Sequence, residues 1–133
     1  MRIFARISRD YNPVHYDTGY AELRGFKAPI TNGLLTASLV TEVGGQIGWL
    51  ATGMNFEFKR PVYAGNRITC HRLISDIDER AHAKAEVRIL NAEGITVLEA
   101  TTSGVLPRIE ERERLEQMLS DGDSTNGASG SSL

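Results

Sequence analysis

Residues 81–90 read AHAKAEVRIL, and this stretch indicates the fold more clearly than any other part of the chain. Apolar side chains occupy every second position from Ala81 through Val87 to Ile89, with polar or charged side chains between them. Successive side chains of a strand point to opposite faces, so this alternation predicts one buried face and one face in water. It is typical of an antiparallel sheet.

Three more segments, two before this one in the chain and one after it, alternate in the same way and predict further strands. The first runs through Met54, Phe56 and Phe58 until Pro61 interrupts it, and the last covers residues 95–106. The second places four side chains on one face: Ile68, Cys70, Arg72 and Ile74. Turn-forming residues at 65–66, 79–80 and 91–94 separate the strands. The second half of the chain therefore predicts four consecutive antiparallel strands.

The first half of the chain is helical in pattern. Residues 33–47, GLLTASLVTEVGGQI, combine apolar and small side chains on every face, which predicts a buried helix with Asn32 as its N-cap. A shorter helix over residues 20–24 is capped by Asp17 or Thr18 and ended by Gly25. We predict a single α+β domain over residues 1–119, with a curled sheet wrapped round the central helix.

The C-terminal region differs in composition from the rest. Residues 107–119 predict a short, partly solvated helix with Pro107 in its first turn. Residues 120–133, SDGDSTNGASGSSL, contain almost nothing that can be buried and predict a disordered tail.

Charge and cysteine content narrow the function classes. The 133 residues carry a formal charge of −2 with a pI near 5.9, which argues against a nucleic-acid-binding protein. No apolar run reaches the ~20 residues that a membrane span needs, and the first residues lack the pattern of a secretory signal. The single Cys70 cannot form an intrachain disulfide. We expect a cytoplasmic protein that binds neither nucleic acid nor membrane.

The chemically informative segment is residues 4–21, FARISRDYNPVHYDTGYA. Pro13 keeps Asn12 out of the helical region, so a stiff turn separates Asp10 from His15 and can aim both into one cavity. A carboxylate and an imidazole that share one water molecule form an acid–base pair. The alternative is structural: Asp10 caps a turn and His15 is a satisfied, semi-buried histidine.

Three segments carry a resemblance to a known family. Residues 4–17, with Asp10, Asn12-Pro13 and His15, resemble the signature of the MaoC-like (R)-specific enoyl-CoA hydratases of the hot-dog fold. Residues 28–35 (APITNGLL) resemble the entry to that family's central helix, and residues 56–65 (FEFKRPVYAG) the strand and turn that follow it. The resemblance covers roughly residues 3–106.

The resemblance implies roles for individual residues. Asp10 and His15 match the catalytic dyad that holds the water added to a trans-2-enoyl thioester, and Gly33 matches the residue whose N–H binds the thioester carbonyl. Thr41 matches a small hydroxyl residue near the dyad, although the sequence favours a structural threonine in the helix interior. The family requires no cofactor, and no pair of histidines here has metal-ligand spacing.

Four further residues are candidates for substrate binding. We predict such contacts for Asn12, which lies between the two dyad residues in sequence, and for Asn32, which precedes Gly33. Lys59 and Arg60 can meet coenzyme A phosphates by charge, or remain solvated surface charges.

The sequence also departs from the family pattern. Arg9 stands where the family has a glycine before the aspartate, and Asn32 where a histidine often precedes the glycine. The strand that ordinarily precedes residue 4 is missing from this sequence.

The function these features predict is reversible hydration of trans-2-enoyl-CoA to (R)-3-hydroxyacyl-CoA, with acyl-CoA as substrate. Two alternatives remain open. A hot-dog thioesterase would use a carboxylate on the central helix, for which Glu42 is the candidate, and a non-catalytic acyl-CoA-binding or subunit-like domain would use none. Unpaired sheet edges are normally covered, so we expect a homodimer or larger homo-oligomer.

Overall fold

The computed structural model describes residues 1–121. It contains five α-helices, one 3₁₀ turn and four β-strands. In chain order these are α1 (Arg2–Ser8), the 3₁₀ turn (Pro13–His15), α2 (Thr18–Leu23), α3 (Gly33–Ala37), α4 (Leu39–Gln46), β1 (Leu50–Phe58), β2 (Ile68–Ser75), β3 (His82–Asn91), β4 (Thr96–Val105) and α5 (Ile109–Ser120). No helix among the described residues is long and apolar enough to span a membrane.

The four strands form one antiparallel sheet in the order β1-β4-β3-β2. The predicted alternation is confirmed on β3, where Ala83, Ala85, Val87 and Ile89 are buried and the residues between them are exposed. Ala81 lies before β3 rather than in it, with a positive φ of 61°. The α+β prediction is therefore correct, and β3 and β4 are its central strands.

The edge strands β1 and β2 are more exposed than the alternation predicts. Met54 and Phe58 on β1 and Ile74 on β2 were expected on a buried face, and all three are exposed. An edge strand has a neighbouring strand on one side only, so the same sequence pattern covers less of its apolar surface there.

The described residues divide into two compact units. The first contains residues Met1–Leu39, Phe56–His71 and Arg88–Glu99, and its largest fully buried side chains include Ile89 and Leu98. The second contains Val40–Asn55, Arg72–Val87 and the described residues from Ala100 onward, with Val40 and Val87 fully buried.

The predicted central helix is interrupted. Ser38 separates α3 from α4, and its hydroxyl donates to the carbonyl oxygen of Leu35 at 2.6 Å. Serine hydroxyls compete for helix carbonyls in this way and often bend helices. The prediction of burial on every face is also wrong, because Leu34 is 61% exposed and Val43 is exposed as well.

Local sequence signals predicted both ends of α2 but did not predict α1. In α2 the carboxylate of Asp17 accepts from the N–H of Tyr20 at 2.6 Å, and Gly25 follows the helix at φ +82°, which confirms the predicted cap and end. Helix α1 was not predicted, because the sequence analysis assigned no secondary structure to residues 2–8.

The last helix begins later and ends later than predicted. Pro107 lies before α5 rather than in its first turn, and the main-chain N–H of Arg108 donates to the carboxylate of Glu111 at 2.7 Å. Ser120, assigned from sequence to the tail, is the last residue of α5. The rest of the predicted tail, from residue 122, lies outside the described residues.

Candidate active site

A tight turn joins Asp10 to His15 in the first unit. Asn12 has the non-helical backbone expected before proline, and its side-chain oxygen accepts from the N–H of Val14 at 3.2 Å. The main-chain N–H of Asn12 donates to Oδ1 of Asp10 at 3.3 Å. These contacts bring Nε2 of His15 to 3.4 Å from Oδ2 of Asp10, so the predicted proximity is confirmed.

The orientation of the His15 ring is set by a main-chain contact. Nδ1 lies 2.8 Å from the carbonyl oxygen of Ile30. A carbonyl oxygen only accepts, so Nδ1 carries a proton and, in the neutral ring, Nε2 is the bare nitrogen. His15 is only 8% exposed. The ring therefore presents a proton acceptor beside the carboxylate of Asp10.

Asp10 is held in its charged form by its neighbours. The side-chain amide of Asn32 donates to Oδ2 at 2.8 Å, and this contact, followed by the N–H of Asn12 and the charge of His15, lowers the pKa of the Asp10 carboxyl. The Asp10 side chain remains 42% exposed. A carboxylate thus lies beside an imidazole nitrogen that can accept a proton whenever the ring is neutral.

Arg9 takes the place of the family's glycine in a conformation that suits glycine. Its backbone is left-handed, with φ +59° and ψ +22°, at the end of α1. Such a conformation costs an ordinary L-residue about 1–2 kcal/mol. The Arg9 side chain is exposed and is not among the residues that line the neighbouring cavity, so the turn forms despite the departure.

A cavity of about 310 Å³ opens beside His15 in the first unit. Its lining is mostly apolar and includes two cationic residues, Lys59 and Arg60. The lining residues are His15, Phe26, Ile30, Thr31, Gly33, Thr36, Phe58, Lys59, Arg60, Pro61, Val62 and Val97. Four of the residues predicted from sequence thus share one cavity: His15, Gly33, Lys59 and Arg60.

Gly33 lies at the first position of α3, where a main-chain N–H has no partner within the helix. A Cβ added at Gly33 would lie 2.9 Å from the Phe58 ring. A side chain at this position therefore displaces Phe58, and glycine leaves the main chain accessible from the cavity.

The two predicted cations already have partners. Lys59 pairs with Glu57, and its Nζ lies 3.4 Å from Glu99; these carboxylates, Glu57 first, raise the pKa of Lys59. Nη1 of Arg60 donates to the carbonyl oxygen of Thr96 at 2.8 Å. Both residues line the cavity, but the charge of Lys59 is largely balanced by the two glutamates.

Four predicted residues lie outside the lining of this cavity: Asp10, which contacts the lining residue His15, and Asn12, Asn32 and Thr41. Asn12 is exposed and its side chain serves the 3₁₀ turn. Asn32 is only 1% exposed and contacts Asp10, and its contact with substrate remains a prediction. Thr41 belongs to the second unit and lines a cavity there with Trp49 and Arg72.

Eight of the twelve lining residues were not predicted as site residues, and Thr36 and Phe58 are two of them. Thr36 is buried and follows Gly33 by three positions, a spacing that places both on one helix face. Phe58 was expected in the sheet core, and its contact with Gly33 joins residues 25 positions apart. Within residues 1–121, no group of three or more His, Cys, Asp or Glu side chains is placed to hold a metal ion.

Residues 1–94 match the family described as "MaoC like domain". The chain belongs to the MaoC-like family. An (R)-specific enoyl-CoA hydratase from Aeromonas caviae is 35% identical over 80 residues, which cover 57% of this chain and 60% of that protein. A mitochondrial 3-hydroxyacyl-acyl-carrier-protein dehydratase from Solanum lycopersicum is 26% identical over 111 residues, covering 80% and 67%. These matches support the prediction that this MaoC-like chain is a hydro-lyase.

A solved structure confirms the fold of this MaoC-like chain. The (R)-hydratase from A. caviae involved in PHA biosynthesis superposes with a TM-score of 0.74 at 31% identity, covering 80% of this chain and 84% of that chain. The predicted hot-dog fold is therefore correct. The chain spans 60% of the length of the A. caviae hydratase matched by sequence.

Proposed function

We propose that the chain is an (R)-specific enoyl-CoA hydratase that adds water reversibly to trans-2-enoyl-CoA. The observation that carries this proposal is the pair of acceptors, Nε2 of His15 and Oδ2 of Asp10, which lie 3.4 Å apart where His15 lines a mostly apolar cavity. The names of the A. caviae relatives support the same reaction and stereochemistry.

The acceptor pair suits the activation of water. A water molecule that donates one hydrogen to Nε2 and the other to the carboxylate keeps its oxygen lone pairs free for attack. Its oxygen adds to the β-carbon, one proton passes to the pair, and the double-bond electrons move toward the thioester oxygen. The pair then returns one proton to the α-carbon, so the elements of water are added and no redox partner is needed. Acid–base assistance of this kind is worth about 10²–10⁴ in rate.

Gly33 is the proposed donor to the thioester oxygen. Its N–H lies at the start of α3 and Gly33 lines the cavity that His15 lines. Negative charge develops on the thioester oxygen during hydration, and a fixed donor aimed at such an oxygen contributes about 10²–10³ in rate. Glycine at this position supports close approach, since any side chain would meet Phe58.

A second candidate is dehydration of 3-hydroxyacyl groups on acyl carrier protein, which the name of the S. lycopersicum relative favours. The chemistry at Asp10 and His15 is the same in reverse, and only the carrier differs. Rates measured with the same acyl group attached to coenzyme A and to acyl carrier protein decide between these two functions.

A thioesterase receives less support from the site. The carboxylate proposed for it, Glu42, lies in the second unit and is not among the residues that line the cavity beside His15. The absorbance of a conjugated enoyl thioester, followed together with the release of free thiol, distinguishes a hydratase from a thioesterase and from a non-catalytic binding module. Loss of the alkene without thiol supports a hydratase, thiol release indicates a thioesterase, and neither indicates a binding module.

Assembly, domain extent and compartment are proposals of the same kind. The exposed apolar side chains of the edge strands, such as Leu50 on β1 and Leu73 on β2, suit a homodimer or larger homo-oligomer. Residues 1–119 are proposed to form one domain. A reducing compartment such as the cytoplasm suits a chain whose single cysteine is Cys70.

A further inference from the structure

Asn32 occupies the N-cap position of α3, yet its side chain does not cap the helix. An asparagine at this position ordinarily accepts a hydrogen bond from an N–H of the first turn that the helix leaves unpaired. Here the amide turns instead toward a residue 22 positions earlier, and Nδ2 donates to Oδ2 of Asp10 at 2.8 Å. The start of the helix gains nothing from this contact, so helix capping does not explain the orientation of Asn32.

The orientation of the amide is fixed by Asp10. Asn32 is 1% exposed, and its Oδ1 is buried without a hydrogen-bond partner. A carboxylate only accepts, so turning the amide over would set Oδ1 against Oδ2 of Asp10. Leaving a buried acceptor unpaired is unfavourable, and the protein tolerates it while directing Nδ2 at the carboxylate.

The oxygen that Asn32 holds is the one that faces the imidazole. Oδ2 accepts from Asn32 and lies 3.4 Å from Nε2 of His15, while Oδ1 accepts from the N–H of Asn12 at 3.3 Å. Each carboxylate oxygen thus has its own donor. Because the Asp10 side chain is 42% exposed, loss of the Asn32 donor would let the carboxylate rotate toward solvent.

We infer that Asn32 is a positioning residue that holds Oδ2 of Asp10 beside Nε2 of His15. The inference rests on the proposed hydration, in which Asp10 and His15 share the water. Asn32 acts through Asp10 and does not line the cavity. Four titratable residues among those described lie next to Asp10: His15; Tyr16, whose hydroxyl donates to the Asp10 main-chain oxygen at 3.1 Å; and the exposed chain neighbours Arg9 and Tyr11.

Two substitutions test the inference. Asn32→Leu removes the donor at similar volume, and Asn32→Asp replaces it with an acceptor of nearly the same shape. We expect kcat to fall about tenfold or more, since hydrogen bonds to charged groups are the strong ones, with KM within about twofold. The carboxyl pKa of Asp10, followed by carbon NMR titration, should rise in Asn32→Leu and rise further in Asn32→Asp.

The matched control is Thr102→Val, which removes a buried polar group in the second unit and should leave kcat and the Asp10 titration unchanged. An unchanged Asp10 titration in both Asn32 variants overturns the inference, as does an unchanged kcat despite a shifted titration. If Asn32→Leu does not fold, Asn32→Asp decides the question alone. A wild-type protein without hydratase activity refutes the proposed function, while the NMR titration still decides whether Asn32 governs Asp10.

Discussion

The carbonyl oxygen of Ile30 accepts a hydrogen bond from Nδ1 of His15 at 2.8 Å, and this contact determines what His15 can do. Because Nδ1 is occupied, the ring meets Asp10 with Nε2. Ile30 is itself held, since its N–H donates to the carbonyl oxygen of Val14 at 3.1 Å and it forms a bridge with Tyr63. The imidazole is therefore oriented by backbone, which side-chain substitutions nearby cannot remove.

We expect Asp10→Asn and His15→Asn each to reduce turnover by about 10²–10⁴, because each removes one of the two acceptors that share the water. The double variant should lose little more than either single one, since groups that act as a unit are strongly non-additive. Steady-state hydration kinetics and circular dichroism check both points. His82→Asn is the control, because that exposed histidine pairs with Asp78 in the second unit. Near-native turnover in either dyad variant contradicts the assignment.

The pH dependence of stability follows from the lowered pKa of Asp10. Its folded-state pKa lies below the unfolded value of about 3.9, so Asp10 stabilises the fold above that pH and loses this contribution as pH falls through the folded value. The unfolding free energy of the wild type should therefore decrease more steeply below about pH 4 than that of Asp10→Asn. Urea unfolding across pH 2–6 measures the difference. Parallel curves for the two proteins would show that Asp10 gains nothing from its donors.

Arg9→Gly should raise stability by about 0.5–1 kcal/mol. The left-handed backbone at φ +59° costs arginine about 1–2 kcal/mol, and part of the gain is offset by the greater flexibility of glycine in the unfolded chain. Thermal and urea unfolding give the change directly. Arg6→Gly, inside α1, is the control and should destabilise by about 1 kcal/mol. A destabilised Arg9→Gly would show that the arginine side chain contributes more than its backbone strain costs.

Gly33→Ala should lower turnover while the fold survives. The added Cβ lies 2.9 Å from the Phe58 ring, so the exposed ring has to shift within the cavity. A displacement of about 1 Å near a reacting group can cost up to 10²-fold in rate. The double variant Gly33→Ala with Phe58→Leu relieves the contact. It thereby separates two causes of lost turnover, the displaced Phe58 ring and the blocked N–H of Gly33. Recovered turnover in the double variant assigns the loss to Phe58, and continued loss assigns it to blocked access to the Gly33 N–H.

The protein should form a homodimer or larger homo-oligomer that depends on an edge strand. A charge placed on the pairing edge opposes association, so either Leu50→Lys on β1 or Leu73→Lys on β2 should shift the species toward the monomer. Light scattering at several concentrations measures this, with Leu119→Lys on α5 as the exposed-leucine control. A fully active wild-type monomer contradicts the prediction.

Local signals in the sequence determined much of this protein. The alternation from Ala83 to Ile89 predicted β3, the Asp17 carboxylate predicted the start of α2, and Asn12-Pro13 predicted the turn that brings His15 to Asp10. Each of these features depends on residues within a few positions of one another. Side-chain period, capping and the backbone restriction before proline act at that range.

The tertiary structure alone decided the orientations of the side chains in the candidate site. Sequence placed Asn32 at a helix cap or against substrate, whereas the fold turns its amide to Asp10, and Ile30 orients His15 across 15 positions. The 61% exposure of Leu34 likewise does not follow from the helical period of its segment. These outcomes depend on contacts between distant segments, and no local propensity encodes where a buried donor finds its acceptor once the chain has closed.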